Sequence, residues 1–204
     1  MKKSLALSLL AAALGYFAFP LHADENYWQQ FVHYKMEVKL DPATHTLSGT
    51  SAILYRNNSP QTLDKIYMYL YPNAFRDNQT IRAKEAAQFF VKNLQTQEAA
   101  GWIDINQFRW VGENTDGNPV NAFKVDDSIL EAALPKPLKP GEAIRFELAF
   151  TLKVREFQDR SGYRGTQYDF AQWYPRCACT MKKAGTRSRC TFSASSMASS
   201  ARLT

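Results

Sequence analysis

The side chains able to carry chemistry are few and scattered. The chain holds three histidines, three cysteines and 19 acidic residues among 204. His33 and His45 belong to no His-Glu-x-x-His helix, the spacing that brings two imidazoles to one zinc ion. His33 falls on the polar side of an alternating stretch and His45 in a turn, so both read as surface residues. There is no Gly-x-Ser-x-Gly elbow to present a serine nucleophile and no glycine-rich phosphate loop. Cys177, Cys179 and Cys190 all lie in the tail. Their Cys-x-Cys spacing suits neither a four-ligand zinc site nor a Cys-x-x-Cys redox pair. Asp126-Asp127 offers paired carboxylates for calcium, but two adjacent acids fit a solvated loop as well. Arg160 to Gly165 is glycine-rich and basic, yet it lacks the strand-to-helix setting of an anion site and reads as a tight turn. On its residues alone the chain carries no self-contained active site.

The elements that would position any site are strands. Val32, Tyr34, Met36, Val38 and Leu40 alternate with polar neighbours, the period of a half-buried strand. Asp41-Pro42 turns the chain, and Leu47 to Tyr55 is the return strand, with Gly49 marking a bulge or a close approach. Leu63 to Tyr71 is a third strand, ended by Pro72-Asn73, and Phe108 to Val111 precedes an Asp116-Gly117 hairpin signal. The clearest alternation, Ile144 to Val154, follows Lys139-Pro140-Gly141-Glu142, where Pro then Gly suits a type II turn. Residues 80–99 break the pattern: Ala86, Phe90 and Leu94 recur four apart, Thr80 can cap and Gly101 ends the segment. The expected fold is all-β, a sandwich of antiparallel hairpins with one short helical insertion at about 80–99.

The ends differ from the body. Residues 1–23 read as a secretory signal: Lys2 and Lys3, an apolar run from Leu5 to Leu14, and Leu21-His22-Ala23 as cleavage site. The apolar stretch is short for a membrane span and Pro20 follows it. After cleavage no membrane span is expected, and the Met-Lys-Lys opening suggests a bacterial periplasmic protein. The chain's net charge is +6, but residues 24–176 carry 18 basic and 19 acidic side chains, a balance of −1. The excess sits at the ends, so no basic face for nucleic acid is expected. Residues 177–204 contain no acid, Trp or Tyr, and nearly all of Ser193 to Ser200 is Ser or Ala. That composition fits a disordered tail.

Several strings in the body resemble one family. They are Tyr34 to Leu40 followed by His45-Thr-Leu-Ser-Gly, then Tyr55-Arg-Asn-Asn-Ser-Pro and Leu70-Tyr-Pro-Asn-Ala-Phe. Gly101-Trp-Ile-Asp-Ile, Leu134-Pro-Lys-Pro-Leu-Lys-Pro-Gly-Glu and Ala171-Gln-Trp-Tyr-Pro-Arg follow. In this order residues 24–176 resemble the N-terminal domain of bacterial zinc aminopeptidases of peptidase family M1, relatives of aminopeptidase N. The resemblance implies a saddle-shaped β domain beside a thermolysin-like catalytic domain. That second domain would carry the His-Glu-x-x-His ligands and the zinc, which polarises a peptide carbonyl and activates water. Those residues are absent here, so the resemblance implies no cofactor in this chain and a peptide substrate only through the missing domain. One position carries over. Thr166-Gln167 resembles a pair that lines the pocket for the substrate's first side chain, though it stands closer to Tyr174-Pro175 than in the family. Gln167 is the substrate-pocket candidate.

The family string after Trp-Tyr-Pro is similar to Val-Tyr-Asp-x-x-Gly-Trp-His-Pro, then Gly-Glu-Phe-Tyr-x-Glu-Phe-Gly. Back-translated and read one base earlier, the Met181/Lys182 junction must encode Glu and the Met197/Ala198 junction must encode Gly. The junctions from Cys179 to Arg187 permit Tyr, Asp, Gly, Trp, His and Pro in family order, and Ser193 to Ala201 permits the second string. A frameshift near codon 177 accounts for the acid-free tail, its cysteines and its Ser/Ala run together. The chain is thus expected to be a truncated, inactive first domain with an exposed docking face. A different reading is a stand-alone periplasmic sandwich that binds peptide or glycan through Trp102, Trp110 and Trp173.

Overall fold

The structure, a computed structural model, describes residues 28–88, 100–112, 123–156 and 160–178. The signal segment, the Asp116-Gly117 hairpin, residues 89–99 of the helical insertion, and Cys179 and Cys190 with the rest of the tail lie outside the described residues.

Alternating residues become paired strands throughout. β1 (Phe31–Asp41) and β2 (Thr46–Arg56) form a hairpin in unbroken register from Phe31↔Arg56 to Asp41↔Thr46. β7 (Ala143–Lys153) pairs with the far side of β2, and β4 (Trp102–Val111) pairs with β7, with a bulge between Ile105 and Gln107. The first sheet therefore runs β1-β2-β7-β4. A second sheet runs β10-β3-β6-β5, built from β3 (Leu63–Tyr69), β5 (Phe123–Asp126), β6 (Ile129–Leu138) and β10 (Arg176–Cys177). A ribbon of β8 (Gly162–Arg164) and β9 (Gln167–Asp169) completes the all-β architecture.

Side chains of one parity face inward from both sheets, as period-2 alternation requires. Ile53, Tyr55, Phe108, Trp110, Phe146, Phe150 and Leu152 from the first sheet share one core with Ile66, Met68, Leu130, Ala132 and Leu138 from the second. Phe108 contacts Phe123 at one side, and Tyr34 reaches Cys177 at the other, so β4 lies over β5 and β1 over β10. Burying this much aromatic and aliphatic surface supplies the main drive for folding.

Local features differ from expectation in places. β3 ends at Tyr69, not Tyr71, because Pro72 opens a 3-10 turn over Tyr71–Phe75. Gly49 is no bulge: the register runs straight through Val38↔Gly49 and Gly49↔Phe150. It is a close approach, since a Cβ there would stand 2.5 Å from Phe150 Cζ and 2.7 Å from Val38 Cγ1. The Lys139-Pro140-Gly141-Glu142 turn forms as read, with Gly141 at φ +82° and the Glu142 N–H donating to Lys139 O at 3.1 Å. The described part of the helical insertion is α1 (Ile81–Gln88).

Candidate functional site

Gln167 lies at the start of β9, exposed, opposite Arg164 across the ribbon. The turn between them needs Gly165 at φ +57°. Gln167 Nε2 donates to the Asp169 carboxylate at 3.2 and 3.4 Å, so its carboxamide is oriented by a neighbour two residues on. The ribbon is seated on the β1–β2 turn through His45. That residue is held at φ +52°, stacks on Tyr163 with centroids 3.7 Å apart and 8° between planes, and shares a 2.6 Å hydrogen bond between Nδ1 and Tyr168 Oη. His45 is thus half-buried and not the free surface residue its turn position suggests. The reason is tertiary, because Tyr163 and Tyr168 return from more than 100 residues downstream. From the ribbon a line of rings continues through Phe170, Trp173 and Tyr174 to Tyr34 on β1.

Tyr34 closes this line. Its Oη accepts the Cys177 backbone N–H at 2.7 Å, while the Ala178 N–H donates to Tyr67 O at 2.8 Å. Burial, with Cys177 beside it acting in the same direction, holds the Tyr34 phenol well above its ordinary pKa. Cys177 is itself buried, in β10.

A second cluster joins the 3-10 turn to β4. Arg155 lies over one region of the Phe75 ring at 3.7 Å and Arg82 approaches the same ring at 4.2 Å, both in cation–π range. Arg76 donates to Asp104 Oδ1 at 2.5 Å and to Ile103 O at 3.3 Å. Asn73, fully enclosed, accepts the Ile103 N–H at 2.8 Å. Asp127, one of the paired acids, does a structural job: its Oδ1 accepts the Ile81 N–H at 3.1 Å, beside Thr80, whose Oγ1 accepts the Ala83 N–H. Together they satisfy two of the open N–H groups at the start of α1.

Among the described residues no three His, Cys, Asp or Glu side chains gather as metal ligands. Trp110 and Trp173 are core residues, 5% and 4% exposed, and Trp102 is half-buried with Arg76 above it. They form no shared binding surface. The outer face of the first sheet is polar, and its charges pair across strands, as in Arg109–Glu147. Among the described helices none is long and apolar enough to cross a membrane. Sequence reasoning read His45 as a surface residue and Asn73 only as the end of a strand, and gave Arg155 no role; the aromatic density from Tyr163 to Tyr174 was one local hint.

No protein-family model and no curated protein matches the chain. Among solved structures it is similar to an M1 zinc metallopeptidase from Deinococcus radiodurans, at 18% identity and TM-score 0.42, over 71% of this chain and 25% of that one. It is also similar to a two-domain M1 zinc metallopeptidase variant bound to L-tryptophan, at 18% identity and TM-score 0.40, over 67% of this chain and 23% of that one. The chain spans about a quarter of the length of each.

Proposed function

We propose that this chain is the N-terminal, non-catalytic β domain of an exported bacterial zinc aminopeptidase of the M1 type, separated from its catalytic domain by a frameshift near codon 177. The observation that carries the reading is the ordered series of family-like strings together with the structural work its residues do. The His45 string forms the turn that seats the ribbon. The Tyr55 string brings Asn57, enclosed and multiply hydrogen-bonded, to the β2–β3 junction. The Leu70 string is the 3-10 turn with Asn73. Leu134 to Glu142 ends in the Gly141 turn, and Trp173 packs on Phe150. Junction residues of this kind are specific to a fold, whereas strand hydrophobics are interchangeable.

In this reading the parent enzyme hydrolyses peptides from the N-terminus with zinc held in the second domain. Gln167, exposed on the ribbon, is this chain's contribution to the pocket for the first substrate side chain. Residues 1–23 direct export to the periplasm.

The test is to resequence the DNA across codons 170–185 and to read the shifted frame downstream. The expected result is a Gly-Trp-His-Pro string, then His-Glu-x-x-His and a later Glu. A confirmed frame with no zinc motif in either downstream frame overturns the reading.

A further inference from the structure

Among the described residues β1 is an edge strand of the first sheet, and over Phe31–Asp41 its two faces differ sharply. Val32, Tyr34, Met36, Val38 and Leu40 pack against the core but remain only partly buried. Lys35, Glu37, Lys39 and Asp41 stand exposed on the other face, alternating in sign. An edge carrying only lysines would repel a second strand. Alternating signs can instead match one, and which strand they match depends on register.

We propose that β1 is the docking edge for a second copy of this chain, joined antiparallel about a two-fold axis through Val38. In that register Lys35 faces the partner's Asp41 and Glu37 faces the partner's Lys39. The symmetry repeats both, so every charged residue from Lys35 to Asp41 meets its opposite. On the inner face Met36 meets the partner's Leu40, and Val38 meets its own symmetry mate. Other registers match fewer charges. Centring on Glu37 sets Lys35 against Lys39 and Glu37 against its own mate, leaving Asp41 opposite His33; centring on Lys39 sets Glu37 against Asp41 and Lys39 against its own mate. Centring on Met36 keeps the Lys35–Glu37 pairs but leaves Lys39 opposite His33 and Asp41 opposite Phe31.

The backbone geometry agrees. A strand's outward N–H and C=O groups come from alternate residues. Pairing about a residue sets like-parity positions opposite each other, so outward groups meet outward groups. A two-fold axis perpendicular to the sheet also keeps the faces aligned, so the apolar row continues into the partner's apolar row. The inference does not depend on the proposed function, since it uses only β1.

The full chain is examined by sedimentation equilibrium at rising concentration and low salt. A monomer–dimer equilibrium is expected, weakening in about 1 M NaCl as exposed charges are screened. Glu37→Lys alone and Lys39→Glu alone each convert attractive pairs to repulsive ones, and each is expected to weaken the dimer about tenfold or more. The two single variants mixed together are expected to form a heterodimer of wild-type strength, because each then meets its opposite. Circular dichroism of the variants establishes that they remain folded. A wild-type chain that stays monomeric overturns the proposal, as does association that grows beyond two copies or strengthens with salt. A dimer indifferent to the single substitutions, or not restored by the mixture, also overturns it.

Discussion

Asn57 offers the most demanding test of how the sandwich is held together. It is 0% exposed and joins three segments. Its Nδ2 donates to Gln61 O at 2.7 Å and to Leu138 O at 3.0 Å. Its Oδ1 accepts the Ser59 N–H at 3.0 Å, the Ser59 hydroxyl at 2.6 Å and Gln30 Nε2 at 3.3 Å. Asn57→Ala removes all of these. Gln61 O keeps a partner, because Ser59 Oγ also donates to it at 3.1 Å. Leu138 O loses a buried donor and the Ser59 N–H loses its acceptor. Each such orphaned group costs about 1–3 kcal/mol, so the loss should be about 2–6 kcal/mol. Against a typical stability of about 5–15 kcal/mol that is a large share. Urea unfolding followed by Trp fluorescence, with Trp110 and Trp173 in the core, should show a lower midpoint at unchanged slope. The neighbouring Asn58→Ala is the control: its Nδ2 bond to Gln29 O at 2.8 Å is exposed, and the change should stay near or below about 1 kcal/mol. If Asn57→Ala costs no more than Asn58→Ala, burial and hydrogen bonding at this junction are not what stabilise it.

Gly49→Ala places a methyl inside the contact distance of Phe150 and Val38 and should cost about 1–3 kcal/mol, read as a lower urea midpoint. His45→Ala removes both the stack on Tyr163 and the bond to Tyr168; amide exchange across Gly162–Asp169 should accelerate while exchange in β2 and β7 stays unchanged, and equal effects in both regions would refute the seating role. The Thr44 hydroxyl first, then the Ala43 N–H, hold the Asp41 carboxyl below the ordinary aspartate range. A lowered native value means this contribution to stability is present above the unfolded pKa and fades as pH falls through the native one. Carboxyl NMR titration should show the Asp41 midpoint rising in Thr44→Val; an unchanged midpoint would refute the assigned cause.

Little of the candidate site was legible from residue types. Gln167 entered through resemblance to a family pair, and nothing local distinguishes it from any exposed glutamine; the structure adds its position on the ribbon and its Asp169 partner. Asp127 read as part of a possible cation site and is a helix cap, because α1 and the β5–β6 turn meet only in three dimensions. Cys177 read as the first residue of an aberrant tail, yet its backbone completes the second sheet's edge beside Tyr34.

The sequence by itself determined β1, β2, β3, the end of β4 and β7, with the turns after β1 and before β7, but not β5, β6 or β8 to β10. Those signals are local: a side chain's face follows from its parity, and Pro140-Gly141 forms its turn from its own backbone preferences. Tertiary structure alone decided the order β1-β2-β7-β4, the stacking of His45 between turn and ribbon, and the enclosure of Asn57. Each depends on groups tens to more than 100 residues apart, and such contacts exist only after two amphipathic sheets have closed on one core.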